Sequence, residues 1–318
     1  MARTRYATDR GLIARMGVTM FMIGLVFTAF VILVIFLLGH YGVSQGGIVF
    51  VALLLGAGMT FGSYYWSDKI ALRTAGARLV SPQEAPELHG VIDRLCALAD
   101  MPKPRVAIAT ADMPNAFATG RSSKVAVVCV TTGLLRRLDR NELEGVLAHE
   151  MSHVAHKDVA VMTIASFLGI VAALMIRFGF YSELFGGGGR GRVGRGGNNQ
   201  YTLAAGAVMM VVGIVVYAVS FLLIRMLSRY RELSADRSGA LLTGQPSALA
   251  SALVKVSGDM ASIPTRDLRA AEPLNAFYFT PAFAKRPGHL SLSAMFSTHP
   301  SLEKRLRELD KISQQLSR

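Results

Sequence analysis

The run Ala148-His149-Glu150-Met151-Ser152-His153 holds two histidines four residues apart, with a glutamate directly after the first. On a helix that spacing puts both imidazoles on one face, where they can grip a single zinc ion at about 2.0–2.1 Å. Glu150 is turned about 100° around the axis from His149. It therefore stands beside the metal rather than on it, the place for a general base toward an attacking water. The chemistry this pattern suits is metal-assisted hydrolysis, with His149 and His153 as ligands and Glu150 as base.

The surrounding residues predict the helix that this reading needs. Asp139 is placed as N-cap and Glu142 at the capping-box position, with Leu138 and Leu143 at the two staple positions. Leu143, Val146, Leu147, Met151 and Val154 then form an apolar stripe at helical spacing, which predicts an amphipathic helix. A catalytic zinc keeps three protein ligands and an open position. The metzincin extension fails, because His156 stands where that pattern needs glycine and Val159 where it needs a third histidine. Cys96 and Cys129, the only cysteines, are too far off in sequence to suggest a closed Cys/His site. A distant glutamate remains. Glu232, in Arg231-Glu232-Leu233-Ser234-Ala235-Asp236-Arg237, shares a helix face with Asp236. One carboxylate can bind the metal while the other accepts a hydrogen bond from the far nitrogen of a ligating histidine. This E-x-x-x-D arrangement resembles that of glutamate-ligand zinc proteases. Without a metal, the same residues read as a solvated charged face with Arg231 and Arg237.

Composition directs the chain to a membrane. Only 17% of residues are charged, and mean hydropathy is +0.39. The net charge of +13 then points to basic residues flanking spans before it points to nucleic acid. Apolar stretches at about 18–38, 48–66, 159–180 and 203–227 are long enough, or nearly so, to cross about 30 Å of hydrocarbon. Arg177 and Arg225 lie near span ends, placed to snorkel, and Tyr64, Tyr65 and Trp66 suit an interfacial belt. Arg3, Arg5, Arg10 and Arg15 precede the first span, and Lys69, Arg73 and Arg78 follow the second. The first span reads as an uncleaved anchor, and the first pair as a hairpin with both ends cytoplasmic. If His149 and Glu232 meet at one metal, the third and fourth spans must also form a hairpin. Its far loop contains a Gly/Arg-rich tract with Arg190, Arg192 and Arg195, basic residues at odds with an outward location. The tract is short and lies between spans, so it reads as a flexible connector rather than a nucleic-acid tail. The expected organisation is a transmembrane hairpin (1–66), a first cytoplasmic part with the H-E-x-x-H helix (67–158), a second hairpin with loop 182–200 (159–227), and a second cytoplasmic part (228–318).

The soluble parts predict an α+β domain. Ser81-Pro82-Gln83-Glu84 reads as a helix start, followed by the stripe Leu88, Val91, Ile92, Leu95, Leu98 and Ala99; Cys96 beside it reads as a packed thiol. Residues 104–109 and 124–131 read as strands. Between them Asn115, Ala116, Phe117, Ala118, Thr119 and Gly120 read as a short strand, either an ordinary hairpin strand or an edge that docks an extended peptide. Pro300 is placed in the first turn of a closing helix with Leu302, Leu306, Leu309, Ile312 and Leu316. His299 before it is either a helix-start residue or a donor to a developing oxyanion. The stretch 260–288, with Pro264, Pro273, Pro281 and Pro287, reads as loop.

Taken together, the N-terminal hairpin, N-A-F-A-T-G at 115–120, H-E-x-x-H at 149–153, the second membrane pair, R-E-L-S-A-D-R at 231–237 and T-H-P at 298–300 resemble the HtpX-type membrane zinc metalloproteases. These are relatives of the type I CAAX prenyl endopeptidases. The resemblance implies a mainly α membrane protein of four transmembrane helices, with a cytoplasmic zincin-like domain and a small sheet. It implies one zinc ion held by His149, His153 and Glu232, with Glu150 as base, residues 115–120 bordering the substrate cleft and His299 near it. The implied activity is proteolysis of misfolded or damaged membrane proteins within a stress response. The enzyme would sit in the cytoplasmic membrane, its active site and both termini on the cytoplasmic side. Its partners would be the bilayer and membrane-protein or peptide substrates, without nucleic acid; nothing in the sequence assigns a regulatory partner or a homo-oligomer. The alternatives are a prenyl-protein endopeptidase and, from another class, an inactive metal-stabilised membrane adaptor.

Overall fold

The computed structural model describes residues 10–40, 45–186, 199–262 and 299–317. In chain order the described elements are α1 (Arg10–His40), α2 (Gln45–Tyr65), α3 (Ser67–Thr74), β1 (Ala77–Leu79), α4 (Pro86–Ala99), β2 (Arg105–Ala109), β3 (Ala116–Thr119), β4 (Val127–Thr131), α5 (Thr132–Arg137), α6 (Arg140–Ala155), α7 (Asp158–Gly186), α8 (Asn199–Thr243), α9 (Pro246–Ser262) and α10 (Leu302–Leu316). The chain is mainly helical, with one small mixed sheet. It divides into two compact units. One comprises Met1–Met16, Tyr64–Val161 and Ser228–Arg318; the other comprises Gly17–Ser63 and Met162–Leu227.

In the first unit the sheet order is β1-β2-β4-β3. β2 and β4 run parallel, and β1 and β3 pair antiparallel at the two edges. All five residues of β4 are buried, which is why its sequence reads as a continuous apolar run rather than an alternation. It begins at Val127 rather than Lys124, because residues 123–125 form a turn in which Val125 N–H donates to Ser122 O at 3.1 Å. Gly120 starts that reversal at φ +120°, and a Cβ there would lie 2.8 Å from Ala126 Cα. β1 is too short, at three residues, to leave a readable alternation. On β3, Thr131 N–H donates to Asn115 O, and antiparallel alternation then turns the backbone groups of Ala116 and Ala118 away from β4.

Helix α4 begins later than its sequence suggests. Ser81 and Glu84 do exchange capping hydrogen bonds, Ser81 N–H to Glu84 Oε2 at 2.7 Å and Glu84 N–H to Ser81 Oγ at 3.4 Å. The helix nevertheless starts at Pro86, because the residue before a proline is steered out of the helical region; Ala85 sits at φ −139°, ψ 64°. At the other end of the chain Ser301 is the N-cap of α10, its side chain accepting from Lys304 N–H. Pro300 therefore precedes the helix rather than occupying its first turn. Leu309 and Ile312 of the expected stripe are buried, whereas Leu316 is exposed. Cys96 and Cys129 are free and buried, and burial pushes their thiols up to about 11 and about 12.

Helix α6 has the expected start. Asp139 accepts from Asn141 and Glu142 N–H, and Glu142 completes the capping box. Glu142 also accepts from Ser251 Oγ at 2.6 Å and Lys255 Nζ at 2.8 Å, which fastens the start of α6 to α9. Burial pushes the Glu142 carboxyl up, but these donors outweigh it and hold it below its ordinary value. The expected amphipathic character does not appear. Glu142, Glu144, His149, Glu150 and Ser152 are buried along with the apolar stripe, because α6 packs against β3, β4, α4 and α9 on different sides. Gly145 permits the close crossing, since a Cβ there would meet the Leu249 backbone at 3.2 Å. A helix buried all round must find partners for its polar side chains inside the fold.

The second unit is built from stretches of α1, α2, α7 and α8. Among the described residues, three helices are long and apolar enough to cross a membrane: Ile13–Phe36, Asp158–Arg177 and Met210–Thr243. The remaining expected span coincides with α2, 21 residues long, or about 31 Å at 1.5 Å per residue. Close approaches hold these helices: a Cβ on Gly56 would lie 2.8 Å from Val171, and one on Gly213 2.8 Å from Ile176 and 3.2 Å from Ala172 O. Phe21, Leu25, Leu33 and Phe36 of α1 stay exposed, the surface hydrocarbon would cover. Arg225 lies over the Phe221 ring at 3.8 Å. The Gly/Arg-rich tract falls on residues 187–198, and the Pro-rich stretch on 263–288, outside the described residues; 260–262 belong to α9.

The junctions to the long helices differ. α6 ends at Ala155, Lys157 takes φ +57°, and α7 starts at Asp158. α8 runs unbroken for 45 residues from its apolar part through Glu232.

Candidate metal centre

His149 and His153 project from one face of α6, and α8 brings Glu232 against them. His149 Nε2 lies 3.3 Å from His153 Nε2 and 3.6 Å from Glu232 Oε2; His153 Nε2 lies 3.6 Å from Glu232 Oε1. Ligands arranged tetrahedrally at about 2.0–2.2 Å from one zinc stand about 3.3–3.6 Å from each other. The donor set therefore fits zinc in both chemistry and spacing. All three residues are buried or nearly so, as a site that excludes bulk water requires.

Each histidine turns its other nitrogen to a carboxylate, and each carboxylate meets an arginine. Asp236 Oδ1 lies 2.9 Å from His149 Nδ1. Arg305 clamps that carboxylate with two hydrogen bonds, Nε to Oδ2 at 2.7 Å and Nη2 to Oδ1 at 2.6 Å. His153 Nδ1 meets Asp158 Oδ2 at 2.5 Å, and Arg231 Nε lies 3.0 Å from the same oxygen. Asp236 was read from its spacing to Glu232; Arg305 and Asp158 were not. Arg305 occupies the inward position of the 302–305–309–312 row, where a search for apolar residues passes over it. Asp158 carries no sequence signal beyond being an acid at a helix start. Burial alone would push the His149 imidazole down, but Asp236 and Glu232 outweigh it and lift it to about 9. A metal must displace that proton to bind.

Glu150, also buried, faces β3: its Oε2 accepts from Ala118 N–H at 3.0 Å. Burial pushes its carboxyl above the ordinary value, opposed by His149, His153 and the Ala118 N–H, while Glu232 adds to the rise. Of the residues singled out at 115–120, Ala116–Thr119 form the edge strand, with Asn115 and Gly120 flanking it. His299 is buried, and its Nδ1 lies 3.0 Å from Glu232 Oε2. It thus meets the candidate ligand directly. One further residue matters: a Cβ on Gly239 would lie 2.9 Å from His149 N and 3.2 Å from Ala148 C. α8 crosses α6 at backbone contact beside the first histidine, and a lone glycine in a helical pattern gave no warning of it.

With the site drawn, its likenesses are informative. The profile of Peptidase family M48 matches residues 82–313. "Protease HtpX homolog 1" of Streptomyces coelicolor is 59% identical over 314 residues, covering 99% of this chain and 97% of that protein. "Protease HtpX homolog" of Moorella thermoacetica is 50% identical over 317 residues, covering 99% of this chain and 98% of that one. The crystal structure of S. mikatae Ste24p superposes with a TM-score of 0.51 at 15% identity, covering 95% of this chain and 67% of that chain; this last likeness is one of fold.

Gly239→Ala is expected to push α8 from α6, with an overpacking penalty of about 1–3 kcal/mol and zinc affinity reduced about tenfold or more. Metal content and the thermal midpoint of the purified protein, measured together, check this; unchanged zinc affinity contradicts it.

Proposed function

Because the chain belongs to peptidase family M48, whose HtpX relatives are proteases by name, and holds three helices long and apolar enough to cross a membrane among its described residues, we propose that it is a zinc-dependent endopeptidase of the cytoplasmic membrane. Its substrates are misfolded or damaged membrane proteins, cleaved as part of a stress response. The observation that carries this reading is the triangle of His149, His153 and Glu232, with Glu150 buried beside it on the same helix as the two histidines and hydrogen-bonded to the Ala118 N–H. An inert metal-stabilised adaptor has no use for that carboxylate.

When bound, zinc supplies a Lewis acid for the scissile carbonyl and acidifies a water. The chain's own residues supply the rest. Glu150, with its raised pKa, takes the water proton and returns it to the leaving amine. The edge of β3 offers an extended peptide a strand partner through the outward carbonyls of Ala116 and Ala118, the Ala118 N–H being held by Glu150. His299 Nδ1 faces Glu232, so its other nitrogen donates to an oxyanion only when the ring is doubly protonated. Asp236 holds His149 so that Nε2 points to the metal.

Glu150→Gln is expected to retain zinc while cleavage falls below about 1% of the wild type. In the unsubstituted enzyme, cleavage should rise with pH through a value above the ordinary glutamate range of about 4.5, because the base works only when deprotonated and burial raises its pKa. Peptide-cleavage rates with bound zinc quantified in the same samples decide both points.

The basic residues on either side of the first helix pair, Arg10 and Arg15 before it and Lys69, Arg73 and Arg78 after it, support a cytoplasmic active site. The parity of crossings then keeps Glu232 on that face, since ligands on either side of the second helix pair must lie on one face of the bilayer. Single cysteines placed at 187–197 in a Cys96/Cys129-free variant should react with an impermeant thiol reagent added outside intact cells. Cysteines at Arg140 should react only after permeabilisation. Protection of the 187–197 positions until lysis would mean that the third and fourth segments do not cross.

A further inference from the structure

We propose that Asp158 and Arg231 are positioning residues for His153, forming a second carboxylate–arginine relay that sets this ligand's tautomer and aim. The proposal rests on the zinc reading above and names residues that the H-E-x-x-H and E-x-x-x-D patterns leave out. His153 has two ring nitrogens with different neighbours: Nε2 faces His149 and Glu232, whereas Nδ1 meets Asp158 Oδ2 at 2.5 Å. A carboxylate there holds the proton on Nδ1 and leaves the Nε2 lone pair for the metal. The Asp158 side chain is 3% exposed, so its charge needs a partner inside the protein. Arg231 supplies it, with Nε at 3.0 Å.

The backbone is bent to make this contact. Were α6 to continue, residue 158 would stand five positions on from His153, about 140° around the axis and facing elsewhere. The chain instead breaks at Lys157, φ +57°, a conformation uncommon for a side chain of this kind. That break returns the first residue of α7 to the ring it has just passed. The relay also ties the ligands together, because Arg231 directly precedes Glu232 on α8. The helix that donates the third ligand therefore steadies the second. His149 has the same arrangement from other elements, Asp236 on α8 and Arg305 on α10. The two relays share no residue.

The test uses the full-length protein purified in detergent, as wild type, Asp158→Asn, Arg231→Gln and the double variant. Asparagine keeps the size and the helix-start preference of aspartate but removes the charge. Zinc affinity is measured by competition with a chromophoric chelator, and site geometry by the visible spectrum of the cobalt(II)-substituted protein. Asp158→Asn should weaken zinc about 10–100-fold and shift the cobalt bands while the far-ultraviolet circular dichroism stays that of the wild type. Arg231→Gln should weaken zinc less, and the double variant no more than Asp158→Asn alone, because both act through one ring. Wild-type zinc affinity and cobalt spectrum in folded Asp158→Asn overturn the proposal. If Asp158→Asn does not fold, Arg231→Gln decides in its place: unchanged affinity and spectrum there overturn it. A wild-type protein that takes up no stoichiometric zinc would instead defeat the underlying metal reading, which keeps the two failures apart.

Discussion

Four carboxylates, those of Glu150, Asp158, Glu232 and Asp236, are buried around two imidazoles, and the fold of the first unit is arranged around that burden. Removing an ion from water costs several kcal/mol unless charge and hydrogen bonds replace the lost hydration. Here each of three acids is met by a cation or an imidazole: Asp236 by Arg305 and His149, Asp158 by Arg231 and His153, and Glu232 by His299 and both α6 histidines. Glu150 differs, since its hydrogen bond comes from the Ala118 N–H. That lighter compensation leaves its pKa raised, the property a base needs and a ligand does not. On the proposed reading, one environment thus separates a metal-binding role from a proton-transferring role among chemically similar groups.

The same constraint explains what was and was not legible in the sequence. Periodicity exposes pairs on one helix, so His149/His153 and Glu232/Asp236 could be read from their four-residue spacing. The capping box at Asp139 and Glu142 was readable for the same local reason. Arg305 was not, because in Glu303-Lys304-Arg305-Leu306-Arg307-Glu308 it is one basic residue among several, and only the tertiary fold selects it for burial. Asp158 depended on a left-handed residue that no pattern announces. The amphipathic reading of α6 failed because the apolar stripe marks only one covered face; the polar residues on its other faces are buried by elements remote in sequence. Three of the four strands were found and β1, three residues long, was missed; β4 was started too early, since a turn at 123–125 leads directly into its apolar run.

Helix α8 shows how few local choices hold the site in register. Glu232, Asp236 and Gly239 lie at i, i+4 and i+7, so they fall on one narrow stripe facing α6. The first faces His149 Nε2, the second the far nitrogen of His149, and the third lets the two backbones touch at His149 N. A shift of α8 by one residue would rotate the stripe about 100° and turn Glu232, Asp236 and Gly239 away from α6 together. No neighbouring residue restores the pattern, because the positions one residue on carry Leu233, Arg237 and Ala240. Arg231, one step to the side of the stripe, is turned by the same angle toward Asp158. The helix therefore has one productive rotation about α6, and it is fixed by the spacing of small, acidic and basic residues along a single element together with Ala240 and Leu242, which are buried in the core that α6 shares.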